Sequence, residues 1–419
     1  MDRPPRGPGP AGADDGARHA KHLRDLNLQR VLAVAMDRGS SLTRAELTEA
    51  TGLSAPTVGT LTSELIRLGV IVDRGPGPSS GGRRPSRMEF NARYGYVAAI
   101  DLGPARTRLA VADLRGRPIG HRTLATPSAL AARELLAHAA RELRRLAKES
   151  GASPSRLLAV GAAVPGVVDA ERDAVGMAPH LRGWSAVPMR QLLRRALGAG
   201  VIVENDVNLA LLGEHWRGAA RGHRTCAFVF AGAGIGAAIL IDGHLHRGHH
   251  SMAGEIAMMY MGPQYVGTDF GSQGCLEALA GVEALAARWG GARGGDPLRS
   301  VGELMSAAQR GERRARRVVE DTARLIAMAV ANVATVVDPS VVVLGGELLA
   351  HAEPLFDQVR RTVARIARTP VEVVRSALGD EAALHGALLL ASREARRRLR
   401  MLLANGGGPG RAAPSRKGT

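Results

Sequence analysis

The segment LTRAELTEATGLSAPTVGTLTSELIRLGVI, residues 42–71, decides the fold of the N-terminal part of this 419-residue chain. Thr43 and Glu46 have the spacing of a capping box, in which each side chain satisfies a free backbone N–H at a helix start. Gly52 then permits a tight turn, and Ser54 can cap the next helix. The segment therefore predicts two short helices joined by a turn.

The second of these helices has two contrasting faces. Val58, Leu61, Leu65 and Leu68 recur at helical spacing and predict a buried stripe. The opposite face carries small hydroxyl side chains, which can approach base edges and phosphates in a DNA major groove. The DNA contacts that we predict around the two helices are Arg44, Ser54, Pro56, Thr57, Thr60 and Ser63.

The flanking residues complete a three-helix unit with a basic hairpin. Upstream, Leu28, Val31, Leu32 and Ala35 form one apolar stripe and predict a further helix. Downstream, a stretch rich in Gly, Pro and Ser leads into a strand-like exit, where extended arginines can reach phosphates or a narrow minor groove. The hairpin contacts that we predict are Arg83, Arg84 and Arg87. The alternative is an ordinary three-helix packing module with a basic loop.

From Tyr94 onward, apolar strands alternate with helices, which indicates α/β architecture. We expect strands at 96–101, 108–113, 157–164, 201–204, 341–344 and 371–374, a hairpin over 225–245, and helices at 129–150 and 207–219. Residues 1–20 are rich in Pro, Gly and charge and are expected to be a disordered tail. A second disordered, basic tail is expected over 399–419.

Composition narrows the classes of function. The formal net charge of +17 favours polyanionic partners, although it is weak support by itself because a run of arginines is usually a solvated face. The two cysteines, Cys226 and Cys275, indicate neither a disulfide framework nor a zinc knuckle. With no long apolar stretch and no apolar block near Met1, we expect a cytoplasmic protein without a membrane partner.

Two sets of motifs together resemble the ROK (repressor, open reading frame, kinase) family. Over residues 23–92, the segment 42–71 and GPSSGGRRPSRMEFN at 77–91 are similar to the DNA-binding half of ROK repressors. Seven further blocks follow in the family's order: IDLGPARTRLAVADL at Ile100, VGAAVPGVVD at Val160, VENDVNLALLGE at Val203, AGAGIGAAILIDG at Ala231, AGEIAMM at Ala253, GSQGCLEALAG at Gly271 and DPSVVVLGGELL at Asp338.

The resemblance implies a fold class and a domain plan. The class is α/β, with an N-terminal winged helix-turn-helix at 21–92 and a two-lobed, actin-like ATPase (ribonuclease H-like) domain of the sugar-kinase type at 93–398. The resemblance further implies that the lobes separate near 206–220.

The resemblance also implies a sugar site. Asp206 matches the position of the kinase catalytic base, and Asn205 beside it matches a sugar contact. Glu255 and Glu277 match positions that hold sugar hydroxyls. His180 stands where the family has asparagine, before the Leu181–Trp184 stretch. The predicted ligand contacts are thus His180, Asn205, Asp206, Glu255 and Glu277.

The phosphate side departs from the kinase pattern. Pro104 and Ala105 replace the small and hydroxyl residues of the first phosphate hairpin, and proline lacks an N–H donor. In the second phosphate loop, Ala233 stands where the kinases have threonine. Phosphoryl transfer is therefore not expected, and Asp206 would be a relict base. The pair Gly345-Gly346 matches an adenosine-side feature, or serves helix packing.

No metal is expected. The family's zinc ligands, one histidine and three cysteines, correspond here to Met258, Thr268, Phe270 and Cys275, and one thiol cannot hold tetrahedral zinc. We expect apolar contacts from Met258, Met259, Tyr260 and Phe270 to hold that loop instead. A histidine-rich stretch is assigned to a surface loop: His244, His246, His249 and His250. Asp101 and Asp113 are expected to anchor turns.

These observations predict a sugar-responsive DNA-binding repressor without enzymatic activity or cofactor. Its partners would be a double-stranded DNA operator, a sugar or sugar derivative, and further copies of the chain in a homodimer or homotetramer. One alternative is an ATP-dependent sugar kinase that uses Asp206 as its base. Another is a regulator with a vestigial cleft that responds to a protein partner.

Overall fold

The computed structural model describes residues 12–76, 85–169, 174–177, 181, 183–290, 296–350, 353–368 and 370–404. Its helices are α1 (Gly12–Asp37), α2 (Arg44–Thr51), α3 (Ala55–Arg67), α4 (Ala132–Glu149), α5 (Met189–Leu197), α6 (Asp206–Arg217), α7 (Cys275–Ala280), α8 (Val282–Trp289), α9 (Pro297–Gln309), α10 (Arg313–Val337), α11 (Glu347–Ala350), α12 (Glu353–Ile366) and α13 (Ala382–Ala404). Its strands are β1 (Ile71–Pro76), β2 (Ser86–Phe90), β3 (Tyr96–Leu102), β4 (Arg106–Asp113), β5 (Pro118–Ala125), β6 (Leu157–Val164), β7 (Val167–Asp169), β8 (Ala174–Met177), β9 (Ser185–Val187), β10 (Gly200–Asn205), β11 (Cys226–Ala231), β12 (Ile235–Ile241), β13 (His244–Leu245), β14 (Val341–Gly345) and β15 (Glu372–Arg375).

The N-terminal unit consists of α1, α2 and α3 followed by the antiparallel hairpin β1–β2. The predicted capping box is confirmed: the Thr43 N–H donates to Glu46 Oε2 at 2.7 Å, and the Glu46 N–H donates to Thr43 Oγ1 at 3.2 Å. Ser54 caps α3 by accepting from the Thr57 N–H at 3.4 Å. Leu42 pairs with Met88 through two 2.7 Å backbone hydrogen bonds and so adds a third short extended segment to the hairpin.

Both predicted tails are too long. Helix α1 begins at Gly12, so disorder over 1–20 is wrong for 12–20, while residues 1–11 lie outside the described part. The packed half of α1 nucleates the helix, and extending it adds one hydrogen bond per residue. Helix α13 continues past residue 398 to Ala404 because Leu399 and Leu403, one turn apart, are both buried. Residues 405–419 are not described.

Two five-stranded mixed sheets form the centre of the remaining described structure, in the orders β10-β6-β3-β4-β5 and β13-β12-β11-β14-β15. Each sheet consists of three antiparallel strands in sequence, extended by two parallel strands. The two lobes therefore repeat one topology. The main strands and helices lie where the sequence predicts them, but β5 and the small sheet β7-β8-β9 were not predicted. β5 is largely exposed, so its hydrophobic alternation is weak.

Helices α6 and α13 lie against each other between the lobes. A Cβ at Gly386 would overlap the backbone of Leu209, and one at Gly213 would overlap the backbone of Ala382. The two helices thus approach backbone to backbone, a distance that only glycine allows. The second sheet begins after α6, whereas α13 returns the chain to the first sheet, against β3 and β6.

The buried carboxylate of Glu214 fixes α6 to the segment before α13. Its oxygens accept from Ser376 Oγ at 2.5 Å and from the N–H groups of Leu378 at 2.8 Å and Ala219 at 2.7 Å. Several donors around one buried carboxylate offset the cost of removing its charge from water.

The N-terminal unit rests on the first lobe. Asp37 of α1 pairs with Arg396 of α13 at 2.8 Å, and Arg115 donates to the Arg38 carbonyl at 3.2 Å. One apolar cluster continues from Leu28 in α1 to Leu403 in α13. Within the described residues, no helix has both the length and the apolar character that crossing a membrane requires.

Candidate functional site

A cleft with an empty volume of about 1440 Å³, part of it open to solvent, lies between the two sheets. It is lined by the end of β3, the start of α6, the loop between β11 and β12, and the segment after β14. Four of the five predicted ligand residues line it: Asn205, Asp206, Glu255 and Glu277. The fifth, His180, lies outside the described residues.

Asn205 and Asp206 are held at the start of α6. Asn205 caps the helix, its Oδ1 accepting from the Asn208 N–H at 2.9 Å, while its Nδ2 donates to the Gly166 carbonyl and to Asp206 Oδ1, both at 3.1 Å. Asp206 Oδ1 also accepts from the Val207 N–H at 2.9 Å. A carboxylate in the first turn is stabilised by the helix dipole. Asp206 is therefore oriented to accept a hydroxyl proton or hydrogen bond.

Glu255 and Glu277 line the cleft from the second lobe, on the side where the resemblance predicts sugar contacts. Burial raises the pKa of Glu277 to about 7, despite the Ile235 N–H that donates to its Oε2 at 2.8 Å. Burial, and then the neighbouring Glu277 charge, raises the pKa of Glu255. Glu277, partly protonated near neutral pH, can both donate to and accept from ligand hydroxyls.

Arg108, Asp380 and Glu347 also line the cleft, and none of the three was predicted from the sequence. Arg108 bridges Asp101 at 3.4 Å and Asp380 at 3.1 Å, which joins residues 272 positions apart. Burial raises the pKa of Asp101 to about 7, Arg108 opposes that shift, and Asp206 adds to it. Asp101 thus belongs to the cleft rather than to a turn. Asp113 does anchor a turn, accepting from the N–H groups of Arg115 and Arg117.

Several backbone positions in the two loops that match the kinase phosphate loops are unavailable as donors to a ligand. In the first hairpin, the Gly103 N–H donates to the Arg106 carbonyl at 3.0 Å, and Pro104 has none. In the second loop, the Gly232 N–H donates to the Gly234 carbonyl at 2.9 Å, and the Ile235 N–H is used by Glu277. These groups are satisfied within the protein.

Gly345 and Gly346 have a packing role. A Cβ at Gly345 would overlap the Phe228 ring, and one at Gly346, where φ is +93°, would overlap the backbone of Ala231. The sequence left two roles open for this pair, an adenosine-side feature or packing. The contacts of the structure support packing.

The loop at the family's zinc position is only partly as predicted. Met259 and Phe270 pack against the second-lobe core, and Phe270 stacks edge to face on Tyr265 at 6.0 Å. Met258 and Tyr260, however, are 40% and 58% exposed, so the prediction that they hold the loop is wrong. Met261 is buried in their place. Among the described residues, no group of three or more His, Cys, Asp or Glu could hold a metal ion.

The predicted DNA contacts fall into exposed and tethered residues. Ser54, Pro56, Thr60 and Ser63 are exposed at the start and along one face of α3, and Thr57 is half-buried beside them. Arg44 donates to Thr62 Oγ1 at 3.2 Å, and Arg87 donates to the Ser41 carbonyl at 3.3 Å, so each arginine also braces the unit. Arg83 and Arg84 lie outside the described residues.

Two lobes of one topology around a cleft with a helix-capping Asn-Asp pair define the class of sugar-kinase-like proteins. The chain belongs to the ROK family, whose sequence model matches residues 97–394.

Relatives of two kinds are similar to this chain. The xylose repressor of Caldicellulosiruptor bescii is 27% identical over 389 residues, covering 88% of this chain and 96% of that protein. The glucokinase of Streptomyces coelicolor is 29% identical over 318 residues, covering 71% and 98%. A solved ROK family transcriptional regulator, a homolog of the E. coli MLC protein, covers 92% of this chain with a TM-score of 0.72 at 21% identity, which is a likeness of fold.

Proposed function

We propose that this chain is a DNA-binding transcriptional repressor, in which a winged helix-turn-helix over residues 21–92 reads an operator and a ROK domain over 93–398 senses a sugar without phosphorylating it. The observation that carries the proposal is the exposed hydroxyl-rich face of α3 beside a basic hairpin. The similarity to a xylose repressor over 88% of the chain supports it.

In this proposal, α3 enters the major groove and the hairpin contacts the flanking backbone or minor groove. Thr57, Thr60 and Ser63 lie closest to base edges, and Arg83, Arg84 and Arg87 neutralise phosphates. A homodimer or homotetramer would place two such units on a pseudo-palindromic operator.

Ligand binding reaches the DNA-reading unit through packed helices. Asp206 begins α6, α6 packs against α13, and α13 pairs with α1 through Arg396 and Asp37. A sugar that bridges the lobes would favour a closed arrangement and shift the placement of α1. Because such coupling is reciprocal, operator DNA changes the affinity for the sugar by the same factor.

Fluorescence anisotropy on genomic DNA fragments tests the DNA-reading role. Thr60→Ala should change sequence preference, while Arg83→Ala with Arg84→Ala should weaken binding to all sequences and flatten its salt dependence. Ser306→Ala is the matched control, because Ser306 is an exposed helical hydroxyl that bonds the carbonyl four residues earlier, as Thr60 does. Equal losses on operator and random DNA for Thr60→Ala would contradict base reading.

The hydrogen bond that holds Asn205 and Asp206 together favours a second candidate function, an ATP-dependent sugar kinase with Asp206 as general base. ADP release over a panel of sugars separates the two functions. We expect no turnover; turnover that disappears in Asp206→Asn would establish the kinase instead. A third candidate, a vestigial cleft, predicts no saturable heat with any sugar in calorimetry.

A further inference from the structure

The cleft is acidic within a chain of strongly positive net charge. Among the described residues, six carboxyl side chains line it: Asp101, Asp206, Glu255, Glu277, Glu347 and Asp380. Among its described lining residues the only cationic side chain is Arg108, which already pairs with Asp101 and Asp380. The chain as a whole carries +17. The charge of the described cleft lining is therefore opposite in sign to the net charge of the chain.

One of these carboxylates lies directly on the second phosphate loop. Glu347 follows the packing glycines at the end of β14, and a Cβ placed on Gly232 would overlap its carboxylate group. Glu347 Oε2 is buried and has no hydrogen-bond partner among the described residues. A negatively charged group thus contacts the backbone that a phosphate would need to approach.

A second carboxylate takes up a donor of the same loop. Glu277 Oε2 accepts from the Ile235 N–H at 2.8 Å, and the Gly232 N–H is bonded within the loop. Phosphate binding at such loops depends on free N–H groups and a positive local field. Here carboxylates adjoin both ends of the loop, so an entering phosphate would meet like charges at close range.

The remaining side chains suit a ligand that brings hydrogen-bond donors. Carboxylates and the Asn205 carbonyl accept from hydroxyl groups, and paired carboxylate oxygens match vicinal diols. The raised pKa values of Asp101 and Glu277 reduce the charge of the cleft near pH 7 but add no cation to it. Neutral polyols satisfy these groups, whereas a phosphate ester lacks a cationic partner in the described lining.

We propose that the cleft takes an unphosphorylated sugar, and that Glu347 is the specificity residue that excludes phosphate-bearing ligands, sugar phosphates and nucleotides alike. The proposal rests on the ligand-sensing role proposed above and names the class of ligand. In this proposal, the Glu347 carboxylate occupies the position beside the β11–β12 loop where a phosphate would otherwise bind.

Calorimetry on the full chain tests the role of Glu347 with three kinds of probe, each titrated separately. The probes are free pentoses and hexoses, the phosphate esters of these sugars, and the phosphate compounds pyrophosphate and ATP. The wild type should give saturable heat with a free sugar and none with its phosphate ester. Glu347→Gln, which keeps the shape and removes the charge, should bind pyrophosphate or a sugar phosphate at least about tenfold more tightly than the wild type. Its affinity for the free sugar should stay within about threefold.

Two further variants make the outcome decisive. Glu347→Ala repeats the charge removal without the amide, and Glu372→Gln removes an exposed carboxylate from β15, outside the cleft. Anion binding that appears in both Glu347 variants and not in Glu372→Gln supports the proposal. Wild-type protein that binds a sugar phosphate as tightly as the free sugar overturns it, as do Glu347 variants that gain no anion binding. Operator binding, measured separately, decides the proposed DNA function whatever these results are.

Discussion

The two sides of the cleft differ in what they still offer to a ligand. On the sugar side, Asn205 and Asp206 are fixed by the start of α6, and Glu255 and Glu277 face them from the second lobe. On the phosphate side, Pro104 removes a donor and Glu347 places a carboxylate against Gly232. Under the proposed function, a cleft of this kind keeps the residues for sugar recognition while those for phosphoryl transfer are altered. Substitutions on either side, or at the joint between the lobes, test this difference.

The largest expected effect is on the sugar side. Asp206→Ala removes an oriented charged acceptor, so calorimetry should show about a hundredfold loss of affinity for the sugar that binds the wild type. DNA affinity measured without sugar should be unchanged. Asp242→Ala, which removes an exposed aspartate from the loop after β12, is the control and should leave sugar binding intact. Unaltered sugar affinity in Asp206→Ala would show that the ligand binds elsewhere.

The joint between the lobes gives the next effect. Gly386→Ala forces a Cβ into the backbone of Leu209, and chemical denaturation should show a loss of about 2 kcal/mol in the free energy of unfolding. Gly302→Ala is the matched helical control: a Cβ there meets nothing within 4 Å, so it should stabilise by up to about 1 kcal/mol. Similar changes in both variants would contradict the close contact of α6 and α13.

A smaller effect concerns pH. The pKa of Glu277 is about 7 in the folded chain against an ordinary 4.5, so between these values the folded protein holds a proton that the unfolded chain has released. The free energy of unfolding therefore falls as pH rises through this window, by up to about 1.4 kcal/mol per pH unit for one such group. Glu277→Gln should remove this part of the pH dependence, while Glu303→Gln, on an exposed face of α9, should not. Parallel curves for wild type and Glu277→Gln would refute the raised pKa.

The smallest effect is expected on the phosphate side. Pro104→Gly with Ala233→Thr restores a donor and a hydroxyl there, and it should alter free-sugar affinity by less than about twofold because neither residue carries a sugar contact in this account. Nucleotide binding should appear only when Glu347→Gln is added. Nucleotide binding in the double variant alone would show that Glu347 is not the barrier.

Local signals in the sequence predicted local structure well. The capping box of Thr43 and Glu46, the Ser54 cap and the main strands depend on neighbours within a few residues, and each is found as predicted. The family resemblance also led to Asn205 and Asp206, which are adjacent at a helix start and do line the cleft, while their contact with a sugar stays a prediction.

Long-range contacts could not be derived in this way. Glu347 meets Gly232, and Arg108 meets Asp380, across more than a hundred positions, and no periodicity or motif links them. The start of α1 at Gly12 was missed for a different reason: residues 18–20 are exposed, and this part of the helix continues one nucleated further along. The roles of His180, Arg83 and Arg84 stay predictions.

The most decisive experiment measures operator affinity of the full chain by anisotropy during a titration with free sugar, with ATP and magnesium present and ADP monitored. The account predicts that the sugar shifts DNA affinity and that no ADP forms. DNA affinity that ignores every sugar, together with sugar-dependent ADP release, would contradict it.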